Sequence, residues 1–182
     1  MEEGAESYRR FLEGDKEAFG GVLDAYREML ILFIYRMIGI MAQAEDIAED
    51  CFVELIVHPH RFNFQKSLKT YLLAIARHKT VDYLRQVSKI KKVPLDDVPM
   101  LLSDGGSPEK ELLADERKKS LYKALDQTRD DYRMTLYLLY IEDLSYEEAG
   151  RIMKKSRKQI ENLAFRGRQA VRAILERGEV LL

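Results

Sequence analysis

Residues 144–172 read LSYEEAGRIMKKSRKQIENLAFRGRQAVR, and two capping signatures lie within them. Ser145-x-x-Glu148 and Ser156-x-x-Gln159 each pair a hydroxyl with a long polar side chain three residues on. In this pattern the two side chains satisfy orphan amides at the start of a helix. The first box predicts a short helix over about 146–153, with Ala149, Ile152 and Met153 apolar. The second predicts a longer helix whose inner face is Ile160, Leu163, Ala164, Val171 and Ile174. Two helices joined by a tight turn at Lys154-Lys155 make a helix-turn-helix. The outer side of the second helix carries Arg157, Lys158, Gln159, Glu161, Asn162, Arg166, Arg168 and Arg172. Such groups near a helix N-terminus reach base edges in a major groove, while Arg and Lys grip phosphates. Residues 151–182 hold nine basic against three acidic side chains, a net +6.

Upstream, the helical pattern continues. Ser107-Pro108-Glu109 places a cap, a first-position proline and a first-turn acid in order. Leu112, Leu113, Leu121, Ala124 and Leu125 follow as an apolar side. A helix over about 130–141 turns Tyr132, Leu136, Leu139 and Tyr140 inward. Before that lies a segment of different composition. Residues 93–116 hold one basic residue against seven acids, together with Pro94, Pro99, Pro108 and Gly105-Gly106. The segment reads as an acidic linker between two domains.

The N-terminal half sorts its charges. Residues 1–50 carry five basic and twelve acidic side chains, net −7; residues 51–92 carry nine and two, net +7. Asp15 is a helix N-cap, and Phe19, Val22, Leu23, Tyr26, Leu30, Phe33 and Met37 recur at helical steps up to Gly39. A second helix opens near Ala44, with Ile47, Cys51, Phe52, Leu55 and Ile56 as its apolar stripe, and Pro59 stops it. Its acids, Glu45, Asp46, Glu49, Asp50 and Glu54, stand off that stripe. Like-charge pairs at i,i+4 cost a few tenths of a kcal/mol each, which is consistent with a solvated face or a docking face for a basic partner. A third helix runs from about Ser67 to Ser88, with Leu68, Leu72, Ile75, Ala76, Leu84 and Val87 toward a core. Basic groups interleave with Tyr71, His78 and Tyr83 around it. Cations that hold phosphates beside rings that stack on bases suit single-stranded nucleic acid.

The totals agree. The 182 residues are 46% hydrophobic and 34% charged, with four Pro and ten Gly, a mix that favours helices. Cys51 is the sole cysteine, which points to a reducing, cytoplasmic setting. The acidic start lacks the basic residues and apolar run of a signal peptide. The greasiest run, 29–41, is interrupted by Arg36 and is too short to span a membrane, so no membrane insertion is expected. His58 and His60 match no metal-ligand spacing, and no catalytic constellation, phosphate loop or cofactor motif is found. The expectation is a non-enzymatic, all-α chain of two small helical domains joined by an acidic flexible linker. The boundaries are 1–92, 93–110 and 111–182, the last domain being the helix-turn-helix.

Two basic helical modules in this order resemble the extracytoplasmic-function group of bacterial sigma factors, over nearly the whole length. Residues 44–52, AEDIAEDCF, are similar to the segment that docks on the β′ clamp helices of RNA polymerase. The resemblance implies that Glu45, Asp46, Glu49, Asp50 and Glu54 bind polymerase. Residues 67–72, SLKTYL, with IARH at 75–78 and DYLR at 82–85, are similar to the segment that reads and melts the minus-ten element. That implies DNA roles for Lys66, Ser67, Lys69, Tyr71, Arg77, His78, Asp82, Arg85 and Lys89. The helix-turn-helix resembles the reader of the minus-thirty-five element, through Ser156, Arg157, Lys158, Gln159, Glu161, Asn162, Arg166 and Arg168. Implied partners are core RNA polymerase, through its β′ clamp helices and β flap, promoter DNA and an anti-sigma factor. The chain departs from the family with Glu49-Asp50 for Gln-Glu, His78 for an Asn, Thr128-Arg129 for a Leu-Pro, and Lys154 where the turn usually has Gly. The rival readings are a stand-alone helix-turn-helix regulator, and an enzyme or metal-dependent sensor.

Overall fold

The computed structural model describes residues 3–91 and 116–177. The linker at 93–110, the capping signature at Ser107-Pro108-Glu109, and Leu112 and Leu113 lie outside these residues. All regular structure among the described residues is helical, and the chain divides into two compact units, Met1–Leu101 and Leu102–Leu182.

The first unit is built from α1 (Glu3–Leu12), α2 (Phe19–Ile38), α3 (Met41–Val57) and α4 (Leu68–Lys91). Two single 3-10 turns, Lys16–Ala18 and Pro59–Arg61, link them. Asp15 is a cap as expected, but of the first 3-10 turn: its carboxylate accepts from the Ala18 amide at 3.3 Å. α2 then continues from that turn without a side-chain cap of its own. α2 ends where Gly39 takes up φ 69, a left-handed conformation that glycine adopts without a Cβ penalty, and donates to the Tyr35 carbonyl at 2.7 Å.

α2 touches α1, α3 and α4. That position explains why Ile31, Ile34 and Ile38 are buried beside the expected Val22, Tyr26, Leu30, Phe33 and Met37. A helix packed on several sides needs a wider apolar arc than a surface helix. α3 buries Ile47, Cys51, Phe52 and Leu55, but Ile56 is a correction. It is 43% exposed, because only one arc of α3 faces α2 and α4 and Val53, Ile56 and Val57 fall on the other. In α4 the buried apolar residues are Leu68, Leu72, Leu73 and Ala76, while Ile75, Leu84 and Val87 are half-buried. α1 is an addition to the sequence reading. Its Tyr8 is fully buried, and Gly4 seats its backbone directly on the Tyr26 ring.

The second unit contains α5 (Glu116–Asp126), α6 (Asp130–Tyr140), α7 (Tyr146–Met153) and α8 (Arg157–Glu176). α8 packs on α5, α6 and α7. Gly167 permits the close approach to α6, since a Cβ there would lie 3.1 Å from Leu136 and 3.2 Å from Tyr132. Thr128, buried at the end of α5, donates to the Leu125 carbonyl at 2.7 Å. Buried Arg133 pairs with Asp130 and fixes the start of α6. Leu121 and Tyr140, expected inward, are 42% and 58% exposed. Both line a groove along α8 rather than the core.

Candidate nucleic-acid interface

Both capping boxes form. Ser145 accepts from the Glu148 amide at 3.2 Å and Glu148 accepts from the Ser145 amide at 2.9 Å. At α8, Ser156 accepts from the Gln159 amide at 3.3 Å, and the Gln159 side chain accepts from the Ser156 amide at 2.7 Å. Between the helices Lys154 sits at φ 54, ψ 44, left-handed. The turn is tight enough that a Cβ on Gly150 would meet the Lys155 carbonyl at 2.7 Å, so glycine is required there.

This geometry separates the eight helix-turn-helix residues into two sets. Ser156 and Gln159 spend polar atoms on the cap. Arg157 reaches back to Glu147 at 2.6 Å and along α8 to Glu161 at 2.8 Å, tying α7 to α8. The bond to Glu161, then the charge of Glu147, pushes the guanidinium pKa further above its ordinary value. Arg168 donates to the Tyr140 hydroxyl at 2.6 Å. Lys158, Asn162 and Arg166 are exposed and make no side-chain hydrogen bond or ion pair among the described residues. Lys155, Gln159, Asn162, Leu163 and Arg166 surround a small polar cleft. Phe165 stands amid this face, 56% exposed. It was missed because an aromatic ring in an amphipathic helix reads as core. Its signal was a place off the Ile160–Ala164–Val171 arc.

In the first unit, the candidate strand-binding residues lie along one long helix and the loop before it. Ser67 caps α4, its hydroxyl accepting from the Thr70 amide at 3.2 Å. Lys66 is exposed ahead of it, and Lys69 and Arg77 are half-buried. Asp82 gathers two of the candidates, standing 3.3 Å from His78 Nδ1 and accepting from Arg85 at 3.0 Å. These exposed pairs are each worth no more than about 1 kcal/mol, so they orient rather than stabilise. Lys89 is exposed. Tyr71 is half-buried, with Phe62 against its ring at 5.3 Å, and burial followed by the Glu54 charge raises its pKa. It is a rim residue, not a freely presented ring.

The acidic row of α3 is also divided. Glu54 is half-buried and paired with Arg61, and Glu49 stands 3.9 Å from Arg27. Glu45, Asp46 and Asp50 are exposed and without an ion pair among the described residues. They share the outer side of α3 with exposed Val53, Ile56 and Val57, so the face is mixed rather than purely charged. In the second unit an apolar groove of about 800 Å³ opens along α8, lined by Leu121, Leu125, Tyr140, Ile141, Val171 and Leu175. No set of three or more His, Cys, Asp or Glu among the described residues could hold a metal, and no helix there is long and apolar enough to cross a membrane.

Comparison with known proteins gives a consistent result. A family model described as sigma-70 region 2 matches residues 22–90, and one described as sigma-70, region 4 matches residues 118–171. The ECF RNA polymerase sigma factor SigW of Bacillus subtilis is 29% identical over 173 residues, covering 88% of this chain and 90% of that protein. SigM of the same organism is also 29% identical, over 86% of this chain and 96% of its own length. Among solved structures, the sigma factor RpoE from Bartonella quintana, in complex with the anti-sigma factor NepR, is similar with a TM-score of 0.67. It is 21% identical and covers 88% of this chain and 98% of that one. CnrH, in complex with the cytosolic domain of CnrY, gives 0.63 at 20% identity, over 95% and 97%.

Proposed function

The chain belongs to the extracytoplasmic-function group of the sigma-70 family, and we propose that its two domains divide the recognition of one promoter between them. It directs promoter-specific transcription initiation with RNA polymerase. In the proposed division, α8 enters the major groove at the minus-thirty-five element. Lys158, Asn162 and Arg166 read base edges, and Phe165 contacts thymine methyls. Ser156, Arg157 and Gln159 hold the helix start rigid, while Glu161 and Arg168 pin its flanks. Backbone-positioning contacts and base readout are thereby assigned to different side chains.

In the first domain, Lys66, Ser67, Lys69, Tyr71, Arg77, His78, Asp82, Arg85 and Lys89 meet the minus-ten element. The cations hold the strand, and captured bases repay the lost stacking. The outer side of α3, led by Glu45, Asp46 and Asp50 with Glu49 and Glu54 beside them, docks on the β′ clamp helices. The apolar groove along α8 suits an amphipathic helix of the β flap. Tethering both domains through polymerase raises the effective concentration of each weak contact.

The chain acts as a regulatory DNA-recognition subunit with no chemical step of its own, in the cytoplasm, under an anti-sigma partner. The solved structure of similar fold that holds the anti-sigma factor NepR supports that last assignment. The observation that carries the reading is the pair of region matches in chain order. The test is co-migration of the purified chain with bacterial core RNA polymerase, followed by run-off transcription from duplexes selected out of a random library. Co-migration and specific transcripts are expected. A chain that binds duplex DNA but elutes apart from core enzyme would instead be a stand-alone regulator.

A further inference from the structure

The end of α3 contains a hydrogen-bonding defect that the sequence itself creates. The helical donor for the Leu55 carbonyl would be the amide of residue 59, and Pro59 has none. The Tyr8 hydroxyl fills the vacancy, donating to the Leu55 oxygen at 2.8 Å across 47 residues of chain. Both residues are buried, and burial pushes the Tyr8 phenol up to about 12, so it stays a neutral donor. An orphaned buried carbonyl is costly, which makes this bond a fixed point rather than an incidental one.

The same ring reaches the loop that leads into α4. It stacks on Phe64 with centroids 5.8 Å apart and meets Phe62 edge-on at 5.9 Å. Phe62 packs in turn on Tyr71 at 5.3 Å, and the Arg9 guanidinium lies over Phe64 at 5.1 Å. Backbone bonds close turns within this loop, from Phe62 to Pro59 at 3.2 Å and from Lys66 to Asn63 at 2.9 Å. Its placement against the helices rests on these aromatic contacts together with the Arg61–Glu54 ion pair, and α1 supplies the central ring. α1 also precedes residues 22–90, the part matched by the region 2 model.

We propose that Tyr8 is a positioning residue for promoter opening: through Leu55, Phe62 and Phe64 it sets the loop that presents Lys66, Lys69 and Tyr71 to the single strand. The proposal rests on the reading of the start of α4 as DNA-facing. Tyr8 touches no DNA and acts through the end of α3 and the loop that follows it, so losing its hydroxyl should affect strand capture more than docking by the exposed face of α3.

The test uses the full chain with core polymerase and a promoter duplex selected from a random library by the unmodified holoenzyme. Three quantities are read: affinity for core, affinity for the closed duplex, and permanganate reactivity of unpaired thymines. Tyr8→Phe keeps the ring and removes the donor. Core and duplex affinities within about twofold, with opening reduced about five- to tenfold, are expected for one lost buried hydrogen bond coupled to capture. Phe64→Ala, at a half-exposed ring outside the core, should reproduce the opening defect, and it decides the matter if Tyr8→Phe fails to fold. Lys66→Ala with Lys69→Ala separates the two levels. If that pair leaves opening intact, the DNA-facing reading fails. If the pair impairs opening while Tyr8→Phe and Phe64→Ala do not, the positioning role alone is overturned.

Discussion

Replacing Lys154 with glycine should raise the melting temperature of the C-terminal domain. Lys154 closes the turn between α7 and α8 at φ 54, ψ 44. An L-residue held in this left-handed well pays about 1–2 kcal/mol, which glycine does not. Glycine gives back about 0.5–1 kcal/mol through its larger unfolded-state freedom. The Lys154 side chain is exposed and makes no hydrogen bond or ion pair among the described residues, so little else is lost. The net gain is about 0.5–1 kcal/mol, which for a domain of this size moves the melting temperature by roughly 2–8 °C. Scanning calorimetry on the full chain reads it, with Asp143→Gly as the comparison. Asp143 is also left-handed, at φ 52, but aspartate tolerates that region better, so its gain should be smaller. An unchanged or lower melting temperature for Lys154→Gly, or an equal gain at Asp143, would refute the assignment of strain to this turn.

Arg166→Ala should weaken binding of the holoenzyme to its selected duplex about tenfold, the value of one good base contact. Arg157→Ala should cost less, because its guanidinium already serves Glu147 and Glu161; anisotropy titrations giving equal losses would contradict that split. Asp50→Lys reverses an exposed charge on α3 and should lower affinity for core polymerase about tenfold at low salt, the deficit shrinking as salt rises. Unchanged affinity would return the acidic row to a solvated surface. Cys51 is buried and donates to the Ile47 carbonyl at 3.1 Å, and burial pushes its thiol from 9.0 up to about 12. A neutral thiol favoured by folding contributes fully below about pH 9, and that contribution fades between about 9 and 12. Disulfide reagents at pH 8 should therefore titrate Cys51 only after unfolding, and rapid stoichiometric reaction of the native chain would show that the site is open.

The helix-turn-helix was legible because its determinants are local. A capping box spans four residues, and Ser145–Glu148 and Ser156–Gln159 form within the windows that announce them. The stop at Gly39, the all-helical class and the polarity of the two charge blocks were legible for the same reason. Assignments that depend on a neighbour were less so. Helical period placed Ile56, Leu121 and Tyr140 on apolar arcs, but which part of an arc is covered depends on the helix beside it. α1 offers few apolar residues in a short span, and what makes it a helix of this fold is the Tyr8 hydroxyl finding the carbonyl that Pro59 leaves without a donor.

The candidate sites divide along the same line. Chemistry and spacing named the cations and acids of α3, α4 and α8, because residue type and period are properties of the chain alone. Whether a named group is available is a property of distance. Arg157 engaged by Glu147 ten residues back and Glu54 by Arg61 are pairings set once the helices are in place, whereas Asp82 meets His78 and Arg85 at i,i+4 and i,i+3 spacing within α4. Sequence fixes which charges a helix carries, and packing fixes which of them already have a partner, because an ion pair forms only where folding brings two side chains within a few ångströms.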